Sequence, residues 1–434
     1  MARMNSNEAE CSRRTNPEEN KQDSKRLYLD SLRGIAAIVV VCTHFIQAFY
    51  PYAVFGGNYH QQSSFETFFH WPPFSLAVSG HFAVCLFFVL SGFVLATGHM
   101  KSQSHASTRL LKAMIKRPIR LGGMVAFSVL LGFALQKCGL FLNQPVSLLT
   151  GSRPWFSSFW LESVSIPSFA SDMMFGLFSN SAEYNPPMWS IHKELKGSFI
   201  VFLYLLVRIR LSTNQRTVLL TALFLILFNS IYVGFVIGIA FAELDRLPFA
   251  DRVKALPKNR MWILMIGLLV GMQPYYLQPS GPSTPAWAIL GKFGTGGFSM
   301  LGASVVFGCV LFSRPFQKVL DHRVLSYVGS VSYAMYAMHF LLLGSLTSWL
   351  YLNLVGGLGH FYATVTSVVA TIPVLLVLSH VVTRTVDCPS NSLSNWLANK
   401  CVWDRRDTLA AELLEGVTKQ STGRWPLLGK SLGL

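Results

Sequence analysis

"LDSLRGIAAIVVVCTHF", residues 29–45, puts a guanidinium at the mouth of an apolar run and an imidazole inside it. His44 follows Arg33 by eleven positions. At about 100° per residue they sum to about 1100°, within about 20° of three full turns, so in a helix both side chains share one face about 16 Å apart. Whether that helix lies in protein or in lipid decides the fold.

Composition points to lipid. Of 434 residues, 51% are hydrophobic and 13% charged, with mean hydropathy +0.41, far more apolar than a soluble domain of this length. A hydrocarbon core of about 30 Å takes about 20 apolar residues per helix. Such stretches recur at 33–50, 76–98, 119–137, 189–208, 216–229, 231–244, 261–279, 295–313, 329–352 and 361–383. The expected fold is all-α, a polytopic membrane protein built as a bundle of about ten transmembrane helices. The run from Arg216 to Glu243 reads either as one long helix or as a hairpin at Asn229-Ser230.

Basic residues argue for the hairpin, because Lys and Arg gather on the cytoplasmic side of membrane proteins. Arg13, Arg14, Lys21, Lys25 and Arg26 precede the first span, whereas 51–75 has no Lys or Arg. Lys101, Arg109, Lys112, Lys116, Arg117 and Arg120 fill the next connection, and 138–188 has only Arg153. The alternation continues to the end only if 216–244 crosses twice, which leaves both termini cytoplasmic. Distribution over alternate loops also accounts for the net charge of +16 without nucleic-acid binding.

Three segments are expected: a disordered cytoplasmic extension over 1–27, the transmembrane domain over 28–397, and a cytoplasmic tail over 398–434. The seven cysteines show no paired spacing and no CxxC, so neither a disulfide framework nor a metal site is implied.

Polar residues inside apolar runs are the candidates for chemistry. Arg33 reads as a topology anchor or a ligand group, and His44 as a histidine satisfied by a neighbouring helix or a functional one. Ser91-Gly92 interrupts a dense apolar run and lets a helix or a ligand approach the backbone. "KRPIRLGG", 116–123, gathers cations that obey positive-inside placement or hold a phosphorylated ligand, with Arg120 deepest. In "YNPPMWSIHKELKGSF", 184–199, Pro186-Pro187 starts a helix, Trp189 suits an interface, and Glu194, five residues on, faces elsewhere and is free to point inward. "GSVSYAMYAMHF", 329–340, sets a second histidine, His339, at membrane depth, with Ser332 two turns earlier on the same face.

In this order and spacing the motifs resemble the integral-membrane acyltransferase family 3. The resemblance covers about 27–397 and rests on "YLDSLRG" with Arg33-x10-His44, "FFVLSGF" (87–93), "RPIRL" (117–121), "WSIHKE" (189–194) and "SVSYAMYAMH" (330–339); Asp387 and Pro389 match the family's ending. The loops and extension are similar to those of filamentous-fungal members, with a place in secondary metabolism. The resemblance implies transfer of an acyl group, by family habit acetyl, from acyl-CoA as co-substrate to a hydroxyl, without a metal. It gives His44 the role of general base, since a neutral imidazole is favoured in a low-dielectric site. It gives Arg33, Arg117 and Arg120 the phosphates and pantetheine arm of the donor, and makes Arg33 and Glu194 part of the catalytic set. Ser91 and Trp189 then line the acceptor site, and His339 and Glu194 either line it too or orient His44, with Glu194 as an assisting acid the open alternative.

A proton-coupled secondary transporter is the rival reading, with His and Glu as relay groups, although no internal symmetry supports it. A catalytically silent lipid-binding scaffold would keep the fold without needing His44. The expected partners are the acyl-CoA donor, a hydroxylated small-molecule or lipid acceptor and the bilayer, in the endoplasmic reticulum of a eukaryote.

Overall fold

The structure is a computed structural model that describes residues 27–100, 106–161, 165–179, 183–248, 250, 260–272 and 297–402. The N-terminal extension and nearly all of the tail expected from the sequence lie outside the described residues, and so do 273–279 of the seventh span and 295–296 of the eighth. Every regular element among the described residues is helical, the arrangement that satisfies backbone N–H and C=O groups within each segment when no water is at hand.

The principal helices are α1 (Leu27–Phe49), α2 (Gly80–Met100), α3 (Ala106–Lys137), α4 (Trp189–Arg208), α5 (Thr213–Leu227), α6 (Val233–Leu244), α7 (Arg260–Gly271), α8 (Phe298–Leu311), α9 (Arg323–Leu342), α10 (Ser348–Val382) and α11 (Cys388–Cys401). Chain 216–244 is therefore two helices, broken between Leu227 and Val233. The basic connection before the third span is itself helical, and α3 runs through Pro118 without a break.

Ten crossings are not established. Among the described residues four stretches are long and apolar enough to span a bilayer: Leu27–Phe49, Gly80–Met100, Ala106–Lys137 and the continuous Arg323–Cys401. A fifth is added if Phe298–Leu311 and Arg314–Leu320, bent by 96°, count as one span. Periodicity finds apolar segments but not their lengths: Thr213–Leu227 and Val233–Leu244 are apolar and short, and Met261–Gly271 is apolar up to the edge of the described residues. Helix α4 spends its first two turns on His192, Lys193, Glu194 and Lys196.

Helix α1 makes its most extensive contact with α9. Glycine permits it: a Cβ on Gly34 would lie 2.5 Å from the Leu325 carbonyl oxygen, and one on Gly329 would collide with the Asp30 carbonyl. Backbones approach closely at this crossing, as small residues allow in membrane helices. Ten residues beyond Gly34 is His44, and ten beyond Gly329 is His339. At 1.5 Å per residue both rings rise about 15 Å from the same contact and arrive at one level.

The connections after α1 and α3 are structured. Residues 143–160 form two short helices, Asn143–Thr150 and Arg153–Phe156, which lie beyond the histidine end of α1 and α9. The Gln62 side-chain amide donates to the Thr150 carbonyl, tying this segment to the turn at Ser63, where Glu66 accepts hydrogen bonds from the Gln62 and Ser63 N–H groups. Burial there raises the Glu66 carboxyl above its ordinary range.

Candidate active site

Two polar layers lie along α1. In the deeper one, His44 Nδ1 is 2.9 Å from His339 Nε2. His339 Nδ1 is 2.7 Å from the Tyr336 carbonyl oxygen and 3.3 Å from that of Met335. A carbonyl only accepts, so His339 Nδ1 carries the proton and its Nε2 presents a lone pair. That lone pair requires His44 Nδ1–H as its donor, and His44 Nε2 is left unprotonated. No partner for His44 Nε2 occurs among the described residues, and the ring is half-buried whereas His339 is wholly buried. Helix geometry thus fixes a tautomer chain that ends in a free base.

An aromatic cap surrounds that base. Trp155 lies parallel to the His44 ring at 6.2 Å between centroids, and Phe340 meets it edge-on at 5.3 Å. Phe159 and Trp160 pack on Phe340 at 5.0 and 5.4 Å, and Phe141 stacks on Trp160 at 3.8 Å. "RPWFSSFW", 153–160, went unnoticed in the sequence because a short aromatic cluster between spans has no helical period; its aromatic density was the available signal.

The other layer is at the opposite end of α1, and there each candidate arginine has a carboxylate. Arg33 Nη1 is 3.2 Å from Asp30 Oδ1, Arg120 Nε is 3.9 Å from Asp387 Oδ1, and Arg117 is bonded to Glu194. Arg117 is the committed one: its Nε also donates to Ser198 Oγ at 2.8 Å, and both members of its ion pair are only 13% exposed. Arg33 and Arg120 keep 31% of their side chains open. Arg117 and Arg120 lie three residues apart on α3, about one turn.

The eight candidates therefore separate into groups. His44 and His339 come together. Ser91 donates to Glu194 Oε1 at 2.7 Å and joins Arg117 instead of the histidines; its neighbour Gly92 serves packing, against the Phe235 backbone. Glu194 does point into the bundle. Trp189 starts α4, half-buried against the core. The segment just before α4 reaches the histidines indirectly, since Asn185 Nδ2 donates to the Ala337 carbonyl at 2.8 Å and the Tyr336 hydroxyl to that of Pro187 at 2.9 Å. Among the described residues no group of three His, Cys, Asp or Glu side chains could hold a metal ion.

A histidine pair thus lies toward one end of α1 and a layer of arginines paired with carboxylates at the other. The acyltransferase family 3 model, an acyltransferase domain, matches residues 26–384, and the chain belongs to that family and is an acyltransferase. It is 22% identical to "Acyltransferase clz18" of Cochliobolus lunatus over 75% of this chain and 85% of that protein. It is 24% identical to "Acyltransferase R4" of a Phoma species over 46% of this chain and 53% of that protein. Both relatives are fungal, which agrees with a fungal member. No solved structure matches the chain.

Proposed function

We propose that the protein transfers an acyl group, acetyl by preference, from acyl-CoA to a hydroxyl of a small-molecule or lipid-like acceptor. The observation that carries this reading is the hydrogen-bond chain Tyr336 carbonyl, His339, His44, which leaves Nε2 of His44 as an acceptor for a hydroxyl proton. As that proton moves to Nε2, the hydroxyl oxygen attacks the thioester carbonyl. The C–S bond then breaks, and the imidazolium returns the proton to the leaving thiolate, so coenzyme A departs as a thiol and the base is regenerated. His339 holds the ring and its tautomer, as a third group does for a base in hydrolytic triads.

Arg33 and Arg120, the more open cations, meet the donor's phosphates, and the flexible pantetheine arm carries the thioester along α1 to His44. Arg117 and Glu194 brace that entrance. The aromatic cap beside His44 suits an apolar acceptor body that presents a hydroxyl. In this reading about ten helical segments cross the bilayer, the arginine layer and both termini face the cytoplasm, where acyl-CoA is made, and the membrane is the endoplasmic reticulum.

The test is comparative. Metabolite profiles of host cells with and without the protein, combined with membranes fed isotopically labelled acetyl-CoA, should reveal one acceptor that gains a single acetyl mass. Label that leaves acetyl-CoA only as free acetate, at the same rate in both membranes, contradicts the proposal.

A further inference from the structure

Asp387 is an under-used buried charge. The residue is 8% exposed, yet among the described residues neither carboxylate oxygen accepts a hydrogen bond, and Oδ1 is enclosed without a partner. Its one ion pair is loose, 3.9 Å to Arg120 Nε, beyond hydrogen-bond reach. The Tyr333 phenol stands close by, in the electrostatic range of Asp387, Arg117 and Arg120, but spends its hydroxyl on the Leu121 carbonyl at 2.9 Å. Asp387 closes a π-helical turn, Thr383–Asp387, a form that recurs at functional sites. A buried carboxylate left without donors is costly, and a missing partner is the usual explanation.

The chemistry of that partner can be narrowed. A carboxylate repels phosphate, so Asp387 needs an uncharged O–H or N–H group. That group must lie next to whatever anion Arg120 holds. It must also lie deeper, because the Asp387 side chain is 11% exposed against 31% for Arg120. In a coenzyme A thioester the part beyond the phosphates is the pantetheine arm, which begins with a hydroxyl and carries two amide N–H groups.

We infer that Asp387 is a donor-recognition residue that accepts a hydrogen bond from the pantetheine arm while Arg120 holds the adjacent phosphate. The inference rests on the acyl-CoA reading above. It adds a contact that discriminates the arm from the nucleotide, so that 3′,5′-ADP alone satisfies the arginines and leaves the carboxylate empty.

The test needs no acceptor. Full-length protein in detergent is titrated with coenzyme A and separately with 3′,5′-ADP, for wild type, Asp387→Asn and Asp387→Ser, with the unliganded melting temperature recorded for each. The expected result is a Kd for coenzyme A about tenfold weaker in both variants, the loss of one charge-assisted hydrogen bond, and an unchanged Kd for 3′,5′-ADP. Equal weakening of both ligands makes Asp387 a mere support for Arg120 and overturns the inference. Unchanged or tighter coenzyme A binding overturns it as well, the second by showing a counter-charge that competes with phosphate. If wild type binds neither ligand, the acyl-CoA reading itself fails and takes the inference with it.

Discussion

The two ends of α1 handle buried polarity in different ways. At the Arg33 end, three cations face three carboxylates, Asp30, Glu194 and Asp387, and the layer balances charge with charge. About 16 Å along the helix, two rings balance each other through a single hydrogen bond, anchored on a backbone carbonyl. A charged layer can trade one anion for another, which suits reversible capture of a phosphorylated molecule. A tautomer chain cannot be traded in this way; it has one free end, and chemistry happens there. The contrast separates binding from turnover along one helix.

Removing the free end should cost most. For His44→Ala we expect a protein that still inserts but transfers acyl groups at least about 10³-fold more slowly, within the range of general-base catalysis, as measured by labelled acetyl transfer in membranes. Activity within a few-fold of wild type would erase the distinction between layers. Next comes Glu194→Gln, which leaves Arg117 buried without its anion, at a cost of about 3–5 kcal/mol. A fall in melting temperature should accompany an activity loss of about tenfold or more, and adding Arg117→Met should recover the stability. If the single variant melts like wild type, Glu194 is not a brace. The smallest effect belongs to Arg33→Ala. Its i,i+3 partner and exposure limit what it contributes to the fold, so donor affinity should weaken about tenfold with turnover little changed, read from coenzyme A titrations and saturating-donor rates.

Much of this was legible in the sequence. The i, i+11 relation of Arg33 and His44 needs only helical period, and the inward face of Glu194 follows from its offset to Trp189. The meeting of His44 with His339 was not legible, because it depends on Gly34 and Gly329 letting α1 and α9 cross at equal distances from the two rings. Nor was the pairing of Arg117 and Arg120 with carboxylates, since Glu194 and Asp387 are far from them in the chain. The number of crossings is less legible: hydropathy marks apolar runs, and among the described residues four helical stretches, or five with the bent pair, have the length of a span, while α5 and α6 are apolar but shorter.

The most direct test of the central claim, that His339 acts only through His44, is a double-mutant cycle on acyl transfer. His339→Ala alone should slow turnover about 10- to 100-fold with donor affinity unchanged, His339→Gln should restore part of the rate by supplying an acceptor for His44 Nδ1–H, and His44→Ala should mask both. Losses that multiply in the double variant would show two independent roles and would contradict the tautomer chain.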